Sequence, residues 1–205
     1  MNLERGRPRN FNLDTALDRA LEVFWRHGFQ AASLADLTAA MGLSKPSLYA
    51  AFGDKEALYL KALERYAALQ VEQHIAIFDT EPDARCALEK YLRAMAGALT
   101  DATLPGGCFI VNGMADCGMT STPPAIELAL SRAVQASEAR LHKQLVRAQR
   151  DAQLASNASA KDLAAFFTSL LAGLAVLAKS GAKQPKLDAV VSTAMRAWPD
   201  SGVDG

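Results

Sequence analysis

Ser33-Leu-Ala-Asp-Leu-Thr-Ala-Ala-Met-Gly-Leu-Ser-Lys-Pro-Ser-Leu-Tyr-Ala-Ala-Phe52 decides the fold of this chain. The spacing predicts two short helices joined by a tight turn. Ser33 is an N-cap type, and Asp36 stands at the capping-box position three residues on. Leu34, Leu37 and Met41 recur at helical spacing and mark one buried face. Gly42 suits the left-handed residue that ends a helix, and Leu43 plugs the corner. Ser44 caps a second helix whose first turn holds Pro46, where no N–H donor is needed. Leu48 and Phe52 turn inward, which leaves Lys45, Ser47 and Tyr49 outward near the N-terminal end. A helix, a glycine turn and a second helix with polar residues at its start form the layout that reads the major groove of DNA.

Outward from this stretch the chain reads as all-α, with about nine helices. Residues 12–27 carry a helix with Leu13, Leu17, Ala20, Leu21 and Phe24 on one side, capped by Asn12 and stopped by Gly28. Three helices ending at Phe52 make a small head. Asp54 caps a fourth helix that runs to about Phe78 without a breaker, roughly 35 Å at 1.5 Å per residue. That length lets one helix belong to both head and body. Helices follow over 83–100, a short stretch after Cys108, 121–155, 160–179 and 186–198. The head and its first link occupy 10–70, with the helix-turn-helix at 33–52, and a dimerisation bundle occupies 71–200. The helix over 160–179 is apolar on nearly every side, so it must be covered on nearly every side. With the terminal helix it leaves apolar faces that no later element can cover. A homodimer through Leu163, Phe167, Leu170, Leu174, Leu177, Val190, Val191 and Ala194 follows, and a helix-turn-helix reader of two half-sites needs two copies.

Composition narrows the function. The 205 residues hold 22 basic and 22 acidic side chains, so a globally basic nucleic-acid binder is excluded and any attraction to DNA is local. The arm around Arg5, Arg7 and Arg9, opened by Gly6 and Pro8, suits a narrow minor groove. Lys55 stands at a helix N-terminus, where free N–H groups favour a phosphate. An odd cysteine count (Cys86, Cys108, Cys117) without a secretory leader suits a reducing cytoplasm. No cysteine or histidine spacing suits a metal, and the apolar run 163–178 is short and interrupted for a membrane span. No nucleophile–base pair or phosphate loop points to an enzyme, so neither catalytic residues nor a cofactor are expected.

These residues resemble the TetR family of bacterial transcriptional regulators. The resemblance rests on Gly6–Arg9, on 20–29, on 33–44, and on Leu48-Tyr49, Phe52, Lys55-Glu56 and Leu58. It covers about the first 60 residues closely and the rest loosely. It implies a repressor that binds a palindromic double-stranded operator as a dimer and leaves it when a small-molecule inducer enters the C-terminal domain. Carried over by position, Lys45, Pro46, Ser47 and Tyr49 lie at the major groove beside the cap Ser44, and Ser33 and Lys55 meet phosphates. Lys45 is the candidate for a guanine contact. Gly107-Cys-Phe-Ile-Val-Asn112 is similar to a subset in which this pattern opens the sixth helix and some members respond to electrophiles or oxidants through the cysteine.

Tyr66, Gln70, Gln73, Met95, Cys108, Phe109, Asn112 and Phe167 are the candidate ligand contacts. Cys108 follows two glycines near a helix start, where the dipole favours a thiolate. A free cysteine is more often a small buried hydrophobe, and both readings stand. Cys117, nine residues on, would lie roughly 13.5 Å along a continuous helix, too far for a disulfide. A sensor acting through Cys108 and a helical dimeric adaptor without DNA specificity are the competing readings.

Overall fold

The computed structural model describes residues 12–118 and 122–199. Arg5, Arg7 and Arg9 of the basic arm, and Ser121 at the expected start of the seventh helix, lie outside them. All regular structure among the described residues is helical. The elements are α1 (Leu13–Ala31), α2 (Leu34–Met41), α3 (Lys45–Phe52), α4 (Lys55–Tyr66), α5 (Ala84–Thr100), α6 (Phe109–Ala115), α7 (Pro124–Arg150), α8 (Ala160–Lys179) and α9 (Gln184–Ala194).

Local chemistry explains most of the boundaries. The Asn12 carboxamide accepts from the amides of Asp14 and Thr15 at 2.9 and 3.3 Å. Asp54 accepts from Ala57 N at 2.8 Å, Asp83 from Cys86 N at 2.6 Å and Ser159 from Asp162 N at 3.2 Å. Each satisfies an amide that a helix start leaves without an internal partner. Gly28 leaves helical geometry at φ 74°, as its position suggests, but the chain resumes the helix as far as Ala31. The terminal helix starts earlier than expected, at Gln184 with Pro185 in its first turn, and ends in a 3₁₀ turn, Met195–Ala197.

The fourth helix differs from the sequence expectation. Regular α geometry stops at Tyr66, and a π-helical stretch, Ala67–Glu72, carries the chain on to two short turns, Gln73–Ile75 and Ile77–Thr80. Nothing in this run breaks a helix, so the widening answers to packing. Tyr66 lies in one core and Phe78 in another, and the π stretch spans the passage between them. Wide turns of this kind occur as local insertions in α-helices, frequently at functional positions.

Two cores organise the molecule. The first joins α1 to α4 and also takes in Phe109 and Ile110 of α6 and Ile126 and Leu130 of α7. The second lies among α5, α7, α8 and α9. The head is therefore sealed from below by residues far along the chain. Arg65 of α4 binds both carboxylate oxygens of Asp18 on α1, at 2.8 and 3.1 Å, and ties these helices across the head.

Candidate DNA-reading face and ligand cavity

The helix-turn-helix is built as its sequence dictates. Asp36 N donates to Ser33 Oγ at 3.1 Å and Ser33 N donates to Asp36 Oδ2 at 3.1 Å, a reciprocal capping box. The bond from the Ser33 hydroxyl, backed by its amide, holds the Asp36 carboxyl below the usual range. Gly42 closes α2 in the left-handed region at φ 68°, ψ 30°, and Leu43 N reaches back to Thr38 O at 3.0 Å. The Ser44 hydroxyl then accepts from Ser47 N at 3.3 Å and lies 2.8 Å from Ser47 Oγ. Leu48 and Phe52 are buried, and this leaves Lys45, Pro46, Ser47 and Tyr49 on the exposed side of α3.

Ala50 shares that exposed side, a position the motif reading passed over. Its place beside Tyr49, three residues after Ser47 and four after Pro46, is the signal that marks it. Lys45 is the one charged residue of α3, and its Nζ stands 6.0 Å from the Tyr49 ring centroid. Lys55 is placed differently from a free phosphate ligand. Its Nζ donates to Gln30 O at 3.3 Å and sits 4.6 Å from the Phe29 ring centroid, and partial burial lowers its pKa. The hydroxyls of Ser33, Ser44 and Ser47 are likewise engaged in capping.

Below the head an aromatic relay links α1, α4 and α6. Tyr59 meets Phe24 edge-on at 5.0 Å and Phe109 at 5.1 Å, and Tyr66 meets Trp25 at 4.9 Å and Phe109 at 5.7 Å. Phe109 thus faces the head core. Beside it opens an apolar cavity of about 80 Å³. Tyr66 of α4, Tyr91, Met95 and Leu99 of α5, Cys108 with Ile110 and Val111, Val134 and Ser137 of α7, and Thr168, Leu171 and Ala172 of α8 line it.

The structure brings Tyr66, Met95 and Cys108 together in this lining, and leaves the other five ligand candidates outside it. Phe109 and Phe167 belong to the cores, Gln73 is exposed and Gln70 is half-buried. Asn112 is half-buried with its Nδ2 unpartnered, and its Oδ1 stands close to Gly107. Tyr91 and Leu99 lie at helical spacing along α5, and only the meeting of five helices shows that they border a void. The Tyr66 hydroxyl donates to Cys108 Sγ at 3.3 Å. Burial, then the neighbouring thiol, raises the Tyr66 pKa well above its ordinary value, and burial pushes Tyr91 to about 12. Cys108 precedes a helix of only seven residues, so its polar partner is a phenol and not a long helix dipole.

The expected dimer set divides in two. Phe167, Leu174, Val191 and Ala194 are buried inside the protomer and back the surface without forming it. Leu163, Leu170, Leu177 and Val190 are half-buried. Phe166 at 43% and Val176 at 59% exposure, outside that set, occupy the outward side of α8. At 20 residues α8 is long and apolar enough to cross a membrane by length and composition alone, a test that the core helix of a soluble protein also passes. Only 28% of that window is buried within the protomer. Among the described residues no group of three or more His, Cys, Asp or Glu could hold a metal ion.

Known proteins share this arrangement. Residues 16–62 match the model for bacterial regulatory proteins of the tetR family, and residues 84–198 match the tetracyclin repressor-like C-terminal domain. The HTH-type transcriptional repressor ComR of Escherichia coli (strain K12) is 36% identical over 197 residues, which span 96% of this chain and 93% of ComR. A cysteine mutant of the TetR family transcriptional regulator CifR, complexed with 26-bp double-strand operator DNA, is 39% identical with a TM-score of 0.87 over 94% of this chain and 100% of that one. The reduced form of E. coli NemR, 19% identical with a TM-score of 0.79 over 93% of this chain and 98% of that one, shares the fold. A head that presents α3, joined through α4 to a helical body, is thus common to this chain and its relatives, and the chain belongs to the TetR family of DNA-binding bacterial transcriptional regulators.

Proposed function

We propose that the protein is a repressor that a small molecule releases from a palindromic operator. Two copies pair through the outward apolar side of α8, with the half-buried Val190 of α9 beside it, and present α3 to successive major grooves in the cytoplasm. Lys45, Pro46, Ser47, Tyr49 and the capping Ser44 meet the major groove, Ser33 meets the backbone, Lys55 reaches a phosphate on leaving Gln30 O, and the arginines of the N-terminal arm enter the minor groove. The inducer enters the cavity bordered by Tyr66, Met95 and Cys108. The observation that carries this reading is the double placement of Tyr66. Its hydroxyl meets the cavity thiol while its ring packs edge-on against Trp25 of the head.

A ligand that shifts Tyr66 shifts α4 and with it the separation of the two α3 helices, which B-DNA requires to be about 34–36 Å or a multiple. A hundredfold loss of affinity needs about 2.7 kcal/mol of differential ligand binding. A gel shift on the DNA upstream of its own gene tests the reading. We expect salt-sensitive binding that Lys45→Ala weakens at least about 30-fold without altering the dimer, as loss of one base contact of about 1–3 kcal/mol in each half-site implies. No specific binding to any genomic fragment would overturn the assignment.

A second reading has its own support: the Cys108 thiol borders the cavity and accepts from a phenol. In that case covalent addition at Cys108 releases the operator, and Cys108→Ser abolishes the response. In the reversible reading Cys108→Ser retains it.

A further inference from the structure

We infer that the cavity beside Tyr66 takes a small, uncharged, largely apolar molecule with one hydrogen-bond acceptor, of at most about six non-hydrogen atoms. This deepens the proposed ligand-released reading and rests on it. Three features of the walls carry it.

The first is charge. None of the residues lining the cavity is Lys, Arg, His, Asp or Glu. An ion entering would leave water for walls that carry no charge of their own, at a cost of several kcal/mol, and Arg140, whose charge acts on Tyr91, stands outside the lining. The tyrosines feel the same penalty, since burial disfavours the phenolate at both Tyr66 and Tyr91.

The second is the supply of hydrogen bonds. Of the lining hydroxyls, Tyr66 donates to Cys108 Sγ at 3.3 Å and Ser137 to Ala133 O at 3.0 Å. Tyr91 and Thr168 carry the remaining lining hydroxyls, enough for one acceptor group and too few for a sugar or a zwitterion. The third is size. The volume is about 80 Å³, whereas an apolar protein cavity of about 150 Å³ accommodates benzene. A ligand of six non-hydrogen atoms therefore enters only as the cavity widens, which the unbranched Met95 side chain allows.

Three probes of six non-hydrogen atoms separate the possibilities: cyclopentanone, butyrate and the cyclopentylammonium ion. Binding to the full-length protein is followed by calorimetry and melting temperature, and operator release by gel shift. We expect millimolar cyclopentanone to bind and to raise the melting temperature, with neither ion doing so. Ala172→Phe, which fills the space, abolishes this binding. Tyr91→Phe, which keeps the ring and removes the donor, weakens cyclopentanone about three- to tenfold and cyclopentane far less, as loss of one neutral hydrogen bond implies. No cyclopentanone binding, or ions binding as tightly as cyclopentanone, overturns the assigned class. If a bound ion then releases the operator, ligand release itself still stands. If cyclopentanone binds in this manner and the operator stays occupied, the class stands and the release reading falls.

Discussion

Gly113 shows how closely α6 is seated under the head. A Cβ there would lie 2.7 Å from Tyr59 Oη and 3.0 Å from both terminal methyls of Leu130. Separations that short force something to move, and both neighbours are themselves buried. We expect Gly113→Ala to cost about 1–3 kcal/mol, as overpacking of a filled core does, and urea unfolding would show it as a lower midpoint. An unchanged midpoint would mean that α6 lifts away freely. Gly28 is constrained in a different manner: its φ of 74° strains any side chain, whereas the atom a Cβ would meet at 2.9 Å, Asp116 Oδ2, ends a side chain that can move aside. At this scale legibility follows sequence separation. Ser33, Asp36 and Gly42 could be read because their partners lie within a few residues. The need for glycine at 113 could not, because Tyr59 and Leu130 are distant along the chain.

Among the elements, α8 separates best what pattern can and cannot tell. Its sequence is apolar nearly all round, so periodicity does not say which stripe faces inward. Adjacent phenylalanines settle it: Phe167 is fully buried in the protomer while Phe166 stays 43% exposed. Phe167→Ala should cost about 3–5 kcal/mol of unfolding free energy, the usual loss for a buried phenylalanine. Phe166→Glu should leave that core intact and shift the protein to monomer in sedimentation velocity. A dimer that survives Phe166→Glu would place the interface elsewhere. The helix that begins at Lys55 carries the opposite lesson. Its residues favour a regular helix throughout, yet Ala67–Glu72 winds as a π-helix where the chain passes from the core of Tyr66 to that of Phe78.

In the whole molecule, the junction between the two cores matters most. Cys108 borders the cavity, and the next residue, Phe109, lies between Tyr59 and Tyr66 of α4. A ligand beside Cys108 is thus one residue from the aromatic relay that supports the head. Phe109→Ala should remove that support, with two consequences: a stability loss of about 3–5 kcal/mol, and operator binding that responds more weakly to any ligand shown to occupy the cavity. Unfolding and ligand-titrated gel shifts measure these separately, and an undiminished response would exclude Phe109 from the route. The balance of 22 basic and 22 acidic residues also matters here, because it leaves DNA attraction to local charge such as Lys45.

The sequence by itself determined the helical class, the caps that start most helices, and the exposed side of α3. Each depends on short-range geometry: a hydroxyl reaching an amide three residues on, a glycine at positive φ, apolar residues every three or four positions. Tertiary structure alone decided which apolar residues enclose the cavity, which side of α8 is left uncovered, where α4 widens, and that Lys55 lies over Phe29. Those outcomes depend on which surfaces meet once helices pack, and apolar side chains with the same helical spacing can be core, cavity wall or open face.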